Sequence, residues 1–140
     1  MIDADVVIAK VDSIQRCLRR IKNVTGLQPD KLSNVDIQDI FVLHLQRAIQ
    51  GSIDLAAHII AEEGWGVPAE LREHFDILYK NQLIDQKLTC KLRNMVGFRN
   101  IAIHEYQKID ENILKSILTK NLKDLEEYYK TILTHYKLTD

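Results

Sequence analysis

Arg99, Asn100, His104 and Tyr106 stand close together in the stretch Met95–Tyr106. Arginine is a permanent cation whose fork of N–H groups matches a phosphate. Histidine gains or loses a proton near neutral pH. A base that takes the proton of a ribose 2′-hydroxyl lets that oxygen attack the adjacent phosphorus. A fixed cation then meets the charge developing on the phosphoryl oxygens, and an acid protonates the departing 5′-oxygen. Arg99 suits the cation's part, His104 that of base or acid, and Asn100 the orienting of phosphate or imidazole. The chemistry is RNA transesterification, which needs no metal and no other cofactor. Spacing alone favours a plainer reading, in which Arg99 and His104 make ordinary helix-end hydrogen bonds.

The helix that must carry these residues begins near Asp85. Leu88, Leu92, Met95 and Val96 set its apolar stripe, and the same stripe continues onto Arg99 and Ile103. A buried, unpaired charge costs several kcal/mol, so Arg99 must face a partner, a cleft or a subunit boundary. His104 lies five residues further on, about 140° around an ideal helix. The two side chains converge only if the helix bends or ends between them, or if two chains share the site. Gly97 would help a bend or a close approach. Two chains meeting about a two-fold axis would bring two Arg and two His into one cleft.

The rest of the chain reads as helices that hold this one in place. A first helix from about Asp3 to Val24 carries Val7, Val11, Ile14, Leu18 and Ile21 on one stripe and stops at Gly26. Leu27–Asn34, with Pro29, reads as a loop. Asn34 or Asp36 caps a long second helix that runs to about Glu63, apolar over more than half its circumference and so central to the bundle. Pro68 is placed to start a short third helix at Ala69, ending near Asn81 and Gln82, with Leu71, Phe75, Leu78 and Tyr79 inward. Asp110 caps a fifth helix to about Tyr136, lined by Ile113, Ile117, Leu125, Tyr129 and Ile132. The fold expected is an all-α antiparallel bundle of about five helices, in a single domain over residues 1–140.

Composition agrees. Apolar residues make up 46% of the chain, with two prolines and five glycines, which favours long helices over disorder. The acidic N-terminus has no basic region before a long apolar run, so neither a signal peptide nor a membrane span is expected, and Cys17 and Cys90 do not suggest a disulfide framework. A reducing cytoplasm is the expected setting. Net charge is −1, which argues against generic, charge-driven nucleic-acid binding. Lys87, Lys91, Arg93 and Arg99 nevertheless form a run without an acid, compatible with a local phosphate site.

One edge of the second helix is polar: Arg47, Gln50, Asp54 and His58 stack at spacings of three and four. Arg47 and Asp54 are the candidates to brace the motif helix or line the cleft. Asp54 and His58 have metal-ligand spacing, but too few further ligands lie near them in sequence for a metal site to be expected. Cys17 and Cys90 are expected in or near the core, and Trp65 as a loop anchor.

The run Phe98-Arg-Asn-Ile-Ala-Ile-His-Glu-Tyr106 resembles the signature of the HEPN superfamily. The tyrosine two residues after the histidine is similar to the HepT-type toxin branch, as are Leu45–Ala48, Asp54–Ile59 and Met95–Phe98. This resemblance covers most of the chain. It implies a homodimeric HEPN bundle with metal-independent endoribonuclease activity, in which Arg99 and His104 take the catalytic places. It further implies a cognate MntA-type nucleotidyltransferase antitoxin that adenylylates Tyr106, adding negative charge and bulk to the cleft. HEPN bundles also resemble accessory subunits that bind nucleotide or RNA without cutting it. In that case Arg99 would grip phosphate with no turnover. A purely structural helical dimer is the third alternative.

Overall fold

The structure, a computed structural model, describes residues 2–138. Helix α1 spans Ala4–Thr25, and Asp3 caps it by accepting the N–H groups of Asp5 and Val6. Its predicted stripe is the buried one: Val7, Val11, Ile14, Leu18 and Ile21 all face inward. A short 3₁₀ turn, Pro29–Ser33, fills most of the expected loop and buries Leu32. Helix α2 spans Val35–Glu63, and of the two candidate caps Asn34 is the one used, its side chain accepting the Ile37 N–H at 3.1 Å.

Helix α2 is the axis of the bundle and packs against α1 along its length. The two approach closely where a β-carbon on Gly51 would stand 3.0 Å from Ile14 Cγ1. Behind it come α3 (Glu73–Lys80), α4 (Gln86–His104), α5 (Glu111–Ser116) and α6 (Leu122–His135), the last two joined by a π turn over Ile117–Asn121. A second 3₁₀ turn, Tyr106–Lys108, follows α4. The core includes Phe41, Leu45, Ile49, Leu55 and Ile59 of α2, Phe75 and Leu78 of α3, Leu92 and Val96 of α4, and Leu125, Tyr128 and Ile132 of α6. At its centre Tyr128 meets Phe75 edge-to-face at 5.5 Å, and its hydroxyl donates to the Ser52 carbonyl at 2.7 Å.

Four expectations are corrected. Helix α3 starts at Glu73 and not at Ala69, because Ala69–Arg72 form bends and turns and the Glu73 carboxylate accepts the Ala69 N–H at 3.0 Å. Tyr79, Ile103 and Ile113 are exposed despite lying on predicted stripes. Tyr79 sits on the rim of a short helix, and Ile103 lies in the last turn of α4, where Phe98 and Ala102 take the inward positions. The fifth helix runs to His135, but the π turn breaks its α-helical register. Cys90 is exposed and Cys17 half-buried, so only the second has the expected semi-core position.

The acid-free basic run is partly neutralised in three dimensions. Lys91 pairs with Asp124 of α6 at 3.3 Å, and Arg93 pairs with Asp76 of α3. Arg99 is the run's other member with side-chain partners, and these are uncharged. No helix of the described residues is long and apolar enough to cross a membrane.

Candidate active site

Arg99 and His104 lie on one unbroken helix. Asp85 starts α4 by accepting the Leu88 N–H at 2.8 Å, and the helix stays α through His104, its last residue. Gly97 therefore makes no bend. Its use is close approach: a β-carbon there would stand 2.6 Å from Arg72 Nη2, so the glycine lets the Arg72 guanidinium lie against the helix. Arg72 Nε also donates to the Arg93 carbonyl at 3.3 Å. With α4 straight, Arg99 and His104 stay about 140° and about 7.5 Å of helical rise apart. Their side chains leave α4 on different faces.

Arg99 is half-buried and held by two amide oxygens. Its Nη2 donates to Gln50 Oε1 at 2.8 Å and its Nη1 to Asn100 Oδ1 at 3.1 Å. Gln50 in turn donates through Nε2 to Asp54 Oδ1 at 2.9 Å. The result is a chain, Asp54–Gln50–Arg99–Asn100, in which the acid is one residue removed from the cation. Arg99 Nε and His58 Nε2 are buried without a hydrogen-bond partner among the described residues. An unpaired buried donor costs about 1–3 kcal/mol.

His104 is exposed and makes no side-chain hydrogen bond among the described residues. Arg47 is exposed and makes none to Arg99 or Asp54. It lies beside Cys17 of α1, whose thiol is pushed up by burial and pulled partly back by Arg47 and Arg16. Among the described residues no group of three or more His, Cys, Asp or Glu side chains is placed to hold a metal ion.

Tyr106 opens the 3₁₀ turn just after His104 and is 42% exposed. Its hydroxyl donates a hydrogen bond to Asp39 Oδ1 on α2. Burial of the hydroxyl, the bond to Asp39 and the Asp39 charge, in that order, push the phenol up to about 12. Gln50 and Asp39 are the residues that sequence reasoning left out of the site. A signal for both exists. The polar edge of α2, followed back from Asp54 in steps of four, four, three and four, reads Gln50, Gln46, Leu43, Asp39. Because α2 and α4 run in opposite directions, that edge passes Arg99 at Gln50 and Tyr106 at Asp39.

The sequence pattern of the family "Ribonuclease HepT-like" matches residues 14–132. The chain belongs to the HepT-like ribonuclease family. This HepT-like chain is 37% identical to the mRNA nuclease HepT of Shewanella oneidensis over 128 residues, covering 91% of this chain and 96% of that protein. It is 27% identical to the tRNA nuclease HepT of Aphanizomenon flos-aquae, over 94% of this chain and 90% of the relative. Its fold superposes with a TM-score of 0.88 on the tri-AMPylated Shewanella oneidensis HEPN toxin in complex with MNT antitoxin, at 36% identity over 93% of this chain and 98% of that one. The all-α bundle expected from the helical stripes, and of HEPN type by the resemblance, is the fold found.

Proposed function

We propose that this HepT-like chain is the toxin of a toxin–antitoxin pair: an endoribonuclease, acting in the cytoplasm as a homodimer of one HEPN domain per chain over residues 1–140. Arg99 stabilises the charge on the reacting phosphate, and His104 moves the proton of the 2′-hydroxyl or of the leaving oxygen. Asn100 and Asp54 act through Arg99's orientation, directly and by way of Gln50. Arg47, exposed on the same edge of α2, adds positive charge where RNA approaches. A cognate nucleotidyltransferase antitoxin silences the enzyme by adenylylating Tyr106, which puts phosphate where RNA phosphate would lie. The modification and the antitoxin complex of the Shewanella oneidensis toxin support this part of the reading.

One observation carries the catalytic assignment. Arg99 is held by two neutral acceptors, while His104 makes no side-chain hydrogen bond among the described residues at the end of the same helix. A site needing both is completed by a second copy of α4. The test is cleavage of RNA by the purified protein in EDTA, beside Arg99→Ala and His104→Ala. Each substitution is expected to lower cleavage by about 100-fold or more. If both variants cut as well as the parent, the assignment is wrong. If the parent binds RNA but does not cut it, the chain is a binding subunit.

A further inference from the structure

We propose that Asp39 is the general base of the nucleotidyl transfer onto Tyr106, so that this chain supplies a catalytic residue for its own silencing. The inference rests on the reading of Tyr106 as the modified residue. Asp39 already touches the reacting atom, since its Oδ1 accepts the Tyr106 hydroxyl. The two meet in a shallow groove of about 240 Å³ on α2, lined also by Val42, Leu43 and Gln46. Asp39 is the one titratable group in that lining besides the tyrosine itself. The groove is open enough for a nucleotide to be delivered, with Tyr106 42% exposed.

The chemistry requires such a group. A phenol must shed its proton as its oxygen attacks phosphorus. With the phenol held up to about 12, roughly one molecule in 10⁵ carries phenolate at pH 7. A carboxylate in contact with the oxygen removes that barrier, because it takes the proton only as the new bond forms. In the step itself, Tyr106 Oη bonds to the α-phosphorus of a nucleoside triphosphate. The bond from that phosphorus to the bridging oxygen breaks, pyrophosphate leaves with the electron pair, and the phenol proton passes to Asp39 and then to water. The product oxygen has no hydrogen left to donate. Its new phosphate carries negative charge beside the Asp39 carboxylate, and like charges at contact repel. Asp39 thus promotes the transfer and then expels the product from the groove, so the modified ring does not settle back into its original place.

The experiment follows adenylyl transfer from ATP by the nucleotidyltransferase antitoxin, read by intact-mass spectrometry across pH 6–9 with parent, D39N, D39E and Y106F proteins. Asparagine still accepts the phenol's hydrogen bond but cannot take its proton. The D39N variant is expected to lose about 100-fold in transfer rate at pH 7. Its rate should climb about tenfold per pH unit as the phenolate forms unaided, where the parent's stays nearly flat. D39E should recover part of the loss, and a melting curve should show D39N folded. Transfer to D39N at the parent's rate overturns the proposal. So does a deficit of the same factor at every pH, which would make Asp39 a docking contact. Transfer that persists in Y106F refutes the Tyr106 reading itself and takes the Asp39 proposal with it, a failure distinct from the other two because it appears in that variant.

Discussion

A guanidinium held by two amide oxygens is oriented without being neutralised. Asn100 and Gln50 do this for Arg99, and the nearest acid in the chain of bonds, Asp54, is kept one link away. Gln50→Glu should therefore damage the enzyme more than the protein. A carboxylate against Arg99 would form a charge-assisted pair and compete with phosphate, so cleavage should fall by tenfold or more while the melting temperature holds or rises. A variant that cuts normally would show that Arg99's charge is not used. At Tyr106 the phenol is raised to about 12 by burial and Asp39. The phenolate absorbance difference between parent and Tyr106→Phe should accordingly centre near pH 12, and in Asp39→Asn move towards 10. A raised phenol binds its proton more tightly in the folded state. Its contribution to stability is complete below about pH 10 and is lost as pH rises through about 12.

Helix α6 carries the ion pair that no pattern announces. Asp124 is buried, accepts from Asn121 at 3.0 Å, and meets Lys91 of α4 at 3.3 Å. Lys91→Ala leaves that carboxylate buried without its cation. Lys91 is itself 32% exposed, so water softens the loss, and about 2–3 kcal/mol is expected in a urea titration. Tyr128→Phe removes one buried hydrogen bond and keeps the ring against Phe75, at a cost of about 1 kcal/mol. These two contacts mark where sequence reading stops. The α1 stripe was legible because one face of an isolated helix meets one neighbour at constant period. Arg99 was legible because a charge interrupted such a stripe. Asp124 stands two and three residues from Glu126 and Glu127 with nothing in the sequence to set it apart, and the packing of α6 on α4 buries it. Asp39 and Tyr106 are far apart in the chain, and their meeting depends on how α2 and the end of α4 pack. The start of α3 was misplaced because proline permits a helix start without requiring one.

At the scale of the molecule, a straight α4 keeps Arg99 and His104 apart, and in the proposed dimer a second chain would bring them together. Mixing Arg99→Ala and His104→Ala proteins tests this directly. If each site takes arginine from one chain and histidine from the other, a mixed dimer contains one intact site and one doubly defective site. Random mixing should then restore roughly a quarter of parent activity, from two inactive preparations. If each site uses one chain's own pair, no combination restores any. A net charge of −1 is compatible with an RNA substrate, since two of the four basic residues of the acid-free run are spent on acids of other helices and Arg99 is not.

The π turn at Ile117–Asn121 fits one more residue into a turn than an α-helix holds. The helix before it rests on the Pro29–Ser33 turn, and the helix after it rests on α4, α1 and α2. Both faces are kept, so the extra residue is stored rather than passed on. Such a turn acts like a slack link, a place where the chain can gain or lose a residue without changing what lies beyond it. Deleting exposed Thr119 should draw the turn into a plain α-helix and leave Asp124 at Lys91 and Tyr128 at Ser52, with the melting temperature close to the parent's. Deleting Lys123, one turn later, would rotate everything downstream by about 100° and should unfold the protein. If the two deletions cost the same, the turn stores nothing.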